Sequence, residues 1–90
     1  MVETRVRLVN PLGLHARAAA TLVRRASQFS CKIMLCRLPS EHRANARSIL
    51  DLLALGASCG ATIHITADGE DEVKALEDIR RLLETGFGEI

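Results

Sequence analysis

The hydrophobic pattern of this chain changes period abruptly near its start. From Thr4 to Val9, "TRVRLV", Val6 and Leu8 alternate with Arg5 and Arg7, the period of two that marks a half-buried strand. Pro11 and Gly13 interrupt the alternation and predict a turn. From Ala16 to about Ser27, Ala19, Leu22, Val23 and Ala26 recur at helical spacing, with Arg17, Thr21, Arg24 and Gln28 on the other side. A strand followed so closely by an amphipathic helix points to a sheet and helices packed in layers.

The remaining segments extend that reading. "CKIMLCRL", residues 31–38, predicts a second strand, and "SEHRANA" a hairpin turn leading into a short third one. Ser48 is a good N-cap and Gly56 a good stop, which predicts a two-turn helix over 49–55. "ATIHITA" predicts a fourth strand, with Ile63 and Ile65 inward and Thr62, His64 and Thr66 outward, ended by Gly69. Glu70 to Thr85 predicts a last helix, with acids in its first turn, arginines near its end and Gly86 after it. The order β-α-β-β-α-β-α belongs to the α+β class: a four-stranded antiparallel sheet covered on one face by three helices.

With 90 residues and no repeat or linker, residues 1–90 are expected to form a single domain. Aromatic residues make up 2%, namely Phe29 and Phe87, so the core must be aliphatic and stacking platforms for single-stranded nucleic acid are missing. Twelve basic and 11 acidic residues leave a net charge of +1, which favours neither nucleic acid nor an anionic membrane. No apolar run is as long as a membrane span, and "MVETRVRLVN" has no signal-peptide pattern. Cys31, Cys36 and Cys59 are odd in number and lack C-x-x-C spacing, and Cys31 and Cys36 point to opposite faces of one strand. Reduced cysteines, no metal or other cofactor, and a cytoplasmic location are therefore expected.

The residue that carries chemistry is His15, at the start of the first helix. Unpaired N–H groups and the positive end of the peptide dipoles converge there, so an anion is favoured. These surroundings favour a neutral imidazole with one ring nitrogen free to act as a nucleophile. If His15 takes up a phosphoryl group, the N–H groups of Ala16 and Arg17 and the Arg17 guanidinium are placed to hold its oxygens. No Walker loop or metal cluster accompanies it, so donor and acceptor must be other proteins. His42 and His64 lack such a setting and read as plain surface residues.

"GLHAR" followed by small residues closely resembles the active-site signature of the HPr family, the histidine-containing phosphocarriers of the bacterial phosphoenolpyruvate:sugar phosphotransferase system. "SILDLLALGASCGATIHITADGEDEVKAL" resembles the same family's second-helix segment, fourth strand and third-helix start. The resemblance implies an open-faced sandwich in which Nδ1 of His15 takes phosphate from enzyme I and passes it to enzyme IIA domains. It implies that Arg17 accompanies the phosphate and that Ser48 is the regulatory serine modified by an HPr kinase/phosphorylase. The family usually reads His-Ala-Arg-Pro, whereas here Ala18 follows Arg17, which restores an N–H donor and some flexibility.

The second helix is apolar nearly all round. Leu52 and Leu55 are the core candidates, leaving Ile49, Leu50 and Leu53 to form a docking face with Ala20, rimmed by Arg17, Arg24 and Arg47. A monomer that docks transiently is expected. An alternative is a regulatory module that controls a kinase or a transcriptional regulator through the phosphorylation state of His15 or Ser48. The loop "LPSEHRANARS" and the ending "ETGFGEI" resemble the nitrogen-related NPr branch, which favours that alternative. A small ferredoxin-like nucleic-acid binder is a weaker reading, opposed by the charge balance and the missing aromatics.

Overall fold

The structure, a computed structural model, describes residues 1–89. Its elements are β1 (Val2–Arg7), α1 (Ala16–Ala26), β2 (Lys32–Leu38), β3 (His42–Asn45), α2 (Ile49–Ala54), β4 (Thr62–Asp68) and α3 (Glu72–Glu84), followed by a 3-10 turn over Gly86–Gly88. The strands form one antiparallel sheet in the order β1-β4-β2-β3. This is the expected α+β open-faced sandwich, with helices on one face and solvent on the other.

Alternation along the strands builds the two faces. Val6, Ile33, Leu35, Ala44, Ile63, Ile65 and Ala67 are buried beneath the helices. Their neighbours Arg5, Arg7, Lys32 and Arg43 are exposed. Ala18, Ala19, Leu22 and Ala26 of α1 and Ala75, Ile79, Leu82 and Leu83 of α3 close the core from above. Each fully buried leucine or isoleucine stabilises the fold by about 1.5–3 kcal/mol, so the core is aliphatic, with Phe29 and Phe87 packed only partly buried against it. Ala18 is buried in the first turn of α1, where its N–H has no carbonyl acceptor further back in the helix. Val23, expected in the buried stripe, is half-buried at its edge.

Several boundaries differ from expectation. β1 starts at Val2 because Val2 and Glu3 pair with Ala67 and Thr66 of β4. The "HRAN" part of the predicted hairpin turn is itself β3, and the turn contracts to Pro39–Glu41, with Glu41 at φ 61°. The last helix begins at Glu72, two residues late, because the Asp71 carboxylate instead accepts N–H bonds from Ser30 and Cys31 at 2.8 and 3.0 Å. Those bonds tie the start of β2 to the start of α3. Burial, followed by the neighbouring Asp71 carboxylate, pushes the Cys31 thiol up to about 11. All three cysteines are free. No helix among the described residues is long and apolar enough to cross a membrane.

Candidate functional site

The turn between β1 and α1 is shaped by a close approach of two backbones. Gly13 adopts φ 62°, and a Cβ there would lie 2.5 Å from the Ala57 carbonyl oxygen and 2.7 Å from the Ser58 Cα. Only glycine fits both that angle and that contact. The Leu14 N–H then donates to the Ala57 carbonyl at 2.9 Å, and the Gly13 N–H to the Asn10 carbonyl at 3.0 Å. The loop is thereby docked before the helix begins.

His15 is the N-cap of α1, in extended backbone at φ −81°, ψ −179°. Its Nδ1 accepts a hydrogen bond from the Arg17 N–H at 3.3 Å. The nitrogen with the accessible lone pair therefore lies among the unpaired N–H groups of the helix start. Arg17 is exposed beside it, and with Pro11, Leu12, Ala16 and Glu89 the two residues line an open cleft of about 570 Å³. Leu12, 71% exposed at this cleft, carried no signal in the sequence beyond its place next to Pro11.

Two residues at the site were not anticipated. Glu89 lies 74 positions from His15, yet its Oε2 is 2.7 Å from the His15 Nε2. The Glu89 Oε1 accepts from the Asn10 Nδ2 at 3.0 Å, and the same amide nitrogen donates to the Gly13 carbonyl at 2.6 Å. Both Asn10 donors are thus used, and the reversed amide would set an oxygen against two acceptors. Asn10 is fully buried, the one buried polar residue among those described. The hydrogen bond from Asn10, then that from His15, and the positive charge of Arg17 hold the Glu89 carboxyl below its ordinary range.

The end of α3 brings Glu89 there. Gly86 turns the chain at φ 63°, and Phe87 follows at φ 58° with its half-buried ring packed against the core. The Glu89 N–H donates to the Gly86 carbonyl at 2.9 Å, closing the turn. Gly86 was legible as a helix stop, but the path after it was not.

Ser48 is the N-cap of α2, and its Oγ accepts from the Asp51 N–H at 3.2 Å. On the second helix Leu52 and Leu55 are buried, while Ile49, Leu50 and Leu53 are 40%, 76% and 41% exposed. Ala20 is half-buried, and Arg24 is exposed and donates to the Thr21 Oγ1 at 3.3 Å. Arg47 departs from the free rim cation expected: its half-buried guanidinium donates to the Phe29 carbonyl, holding the α1–β2 connection. His64 faces the open side of the sheet against Glu3, and His42 contacts Arg37, both away from the cleft. A larger groove of about 1110 Å³ runs along α3, where Glu70, Asp71, Glu77 and Asp78 outnumber Lys74 and Arg81, a balance that disfavours an anion. Among the described residues no group of three or more His, Cys, Asp and Glu could hold a metal ion.

A family model described as "PTS HPr component phosphorylation site" matches residues 2–85. The phosphocarrier protein HPr of Treponema pallidum is 45% identical over 89 residues, covering 99% of both chains. The phosphocarrier protein NPr of Shewanella violacea is 40% identical over 88 residues, 98% of this chain and 94% of its own. Among solved structures, an HPr from Thermoanaerobacter tengcongensis superposes with a TM-score of 0.92 at 38% identity, covering 100% of this chain and 99% of that one. Family model, relatives and structures together favour the HPr reading over the nitrogen-related alternative.

Proposed function

The chain belongs to the HPr family of phosphocarriers of the phosphotransferase system, and we propose that it carries its phosphoryl group on Nδ1 of His15. The observation that supports this is the N-cap geometry: Nδ1 faces the Arg17 N–H at the positive end of α1. A phosphoryl group on that nitrogen brings about two negative charges to a helix start, where backbone donors and the dipole favour them. The Arg17 N–H turns from the ring nitrogen to a phosphoryl oxygen, the Ala16 N–H serves a second, and the Arg17 guanidinium balances charge at the mouth of the cleft.

In this reading enzyme I, charged by phosphoenolpyruvate in the cytoplasm, is the donor and enzyme IIA domains are the acceptors. Both dock on the apolar surface of Ile49, Leu50 and Leu53, with Ala20 and Arg24 on α1 and Leu12 at the cleft. Arg47 serves that surface by holding its scaffold. Ser48 is the position where a kinase/phosphorylase adds a second kind of phosphate, which the start of α2 tolerates and an acidic partner resists. Incubation with enzyme I and phosphoenolpyruvate should give one acid-labile, alkali-stable phosphate per chain, lost in His15→Ala. Label that survives that substitution sinks the assignment.

A further inference from the structure

β1 is an outer strand of the sheet and pairs with β4 on one side only. Just beyond it, the Leu8 N–H donates to the Ala61 carbonyl at 2.9 Å, and the Leu8 carbonyl accepts from the Gly60 N–H at 2.7 Å. Both groups of Leu8 thus point toward the β4 side, and this direction alternates along an antiparallel strand. Val2, Thr4 and Val6 therefore bond toward β4, whereas the N–H and carbonyl groups of Glu3, Arg5 and Arg7 point outward. Among the described residues no backbone bond reaches that outer edge. The side chains of Glu3, Arg5 and Arg7 are exposed along it. An open row of donors and acceptors is a template for another strand.

We infer that this edge pairs with β1 of a second copy of the chain, antiparallel, about a two-fold axis through Thr4. Charge selects that register. With Thr4 opposite Thr4, Glu3 of each copy stands opposite Arg5 of the other, and each such pair exchanges backbone hydrogen bonds at the outward-pointing positions. A shift of two residues either way, which keeps the same backbone groups in use, sets Glu3 on Glu3 or Arg5 on Arg5. A shift of one residue turns the half-buried side of the strand against its exposed side. Charged edges usually keep copies apart, but here the sign alternates so that one register attracts. Glu3 can serve both neighbours, since its Oε1 lies 2.6 Å from the His64 Nε2 and its second oxygen is left for the arginine. On the core side the same register places Val2 beside Val6.

The contact is isologous and closes as a dimer, joining two four-stranded sheets into one with all helices on the same face. β3, the opposite outer strand, has only four residues and lies beside α2. The exposed surface of Ile49, Leu50 and Leu53 is therefore at the far edge of each sheet, and pairing through β1 leaves it open on both copies. Six residues of strand make a small interface, so the association is reversible and depends on concentration.

The test follows self-association by sedimentation equilibrium from about 10 µM to about 1 mM, a range suited to a small interface. Wild type should pass from monomer to dimer. Glu3→Arg and Arg5→Glu each set like charges opposite one another and should weaken the dimer about tenfold or more. An equimolar mixture of the two variants restores opposite charges at both pairs, so it should dimerise where neither variant does alone, which also shows that both remain folded. In concentrated wild type the Glu3 and Arg5 amides should become protected from hydrogen exchange, with no gain in dilute solution. A wild type that stays monomeric throughout the range overturns the inference and leaves the edge to solvent or to another chain. A dimer that survives both single variants, or a mixture that fails to associate, overturns it as well, because the contact then lies elsewhere or in another register.

Discussion

The starts of α1 and α2 are built alike and differ in what stands behind them. His15 and Ser48 both occupy N-cap positions in extended backbone, and both accept one backbone N–H, at 3.3 and 3.2 Å. The side-chain bonds to the backbone that brace the Ser48 turn come from Asn45 and Asp51, within a few residues of it. The Asp51 carboxylate accepts the Asn45 N–H at 3.2 Å, and the Asn45 side chain accepts the Arg47 N–H at 2.9 Å. His15 instead rests on Asn10, on Gly13 pressed against Ala57, and on Glu89 from the far end of the chain. A local motif suffices to start a helix. Holding the His15 imidazole in one orientation takes contacts from elsewhere in the fold.

The largest effect expected from separating the two ends comes from Gly13→Ala. It forces a methyl to within 2.5 Å of the Ala57 carbonyl oxygen at a positive φ. Left-handed strain and overpacking together should cost about 2–4 kcal/mol, read as a lower urea midpoint. A loss under about half a kcal/mol would show that residues 10–14 can move away from 57–58 without cost, and the support assigned to His15 would lose its rigidity.

Ser48→Ala removes a cap and should cost about 1 kcal/mol while leaving the rate of His15 phosphorylation unchanged. Ser48→Asp retains a capping oxygen and adds charge, so its stability should stay near wild type while transfer from enzyme I slows. If the alanine variant slows His15 phosphorylation as much as the aspartate variant does, capping and charge cannot be separated and the contrast between the two ends fails.

The smallest effect is electrostatic and belongs to the His15 end alone. Glu89 titrates below its ordinary value because Asn10 and then His15 bond the charged form. A depressed carboxyl contributes stability that is present above its unfolded value and is lost as pH falls through the folded one. Acidification through that window should release Glu89 from the ring while Ser48 still caps α2. Carboxyl-carbon NMR should show a low Glu89 midpoint that rises only partly in His15→Ala, because Asn10 is the larger cause. An ordinary midpoint in wild type contradicts the contact.

Much of this was legible residue by residue. The alternation of Val6 with Arg5 and Arg7, and of Ile63 and Ile65 with His64, follows from the pleat, because neighbouring side chains on a strand face opposite sides. The helix at 16–26 follows from its apolar spacing and alanine content, and its start from the turn at Pro11 and Gly13. The third strand was less legible, since "HRAN" has one buried residue, Ala44, and pairs only because β2 offers an edge. Arg47 read as a surface cation because a guanidinium reaching a distant carbonyl leaves no mark in the local pattern.

What the sequence by itself determined was period, cap and position: which residues face a core, where each helix begins, and that an imidazole stands at a helix start. Those properties depend on neighbours within a few residues, and the chain carries them unfolded or folded. Tertiary structure alone decided that Asn10 would be buried, that Arg47 would be tied down, and that Glu89 would cross 74 positions to meet His15. The reason is physical. A carboxylate after a helix stop has no preferred partner until packing of α3 and burial of Phe87 aim the last turn at the ring.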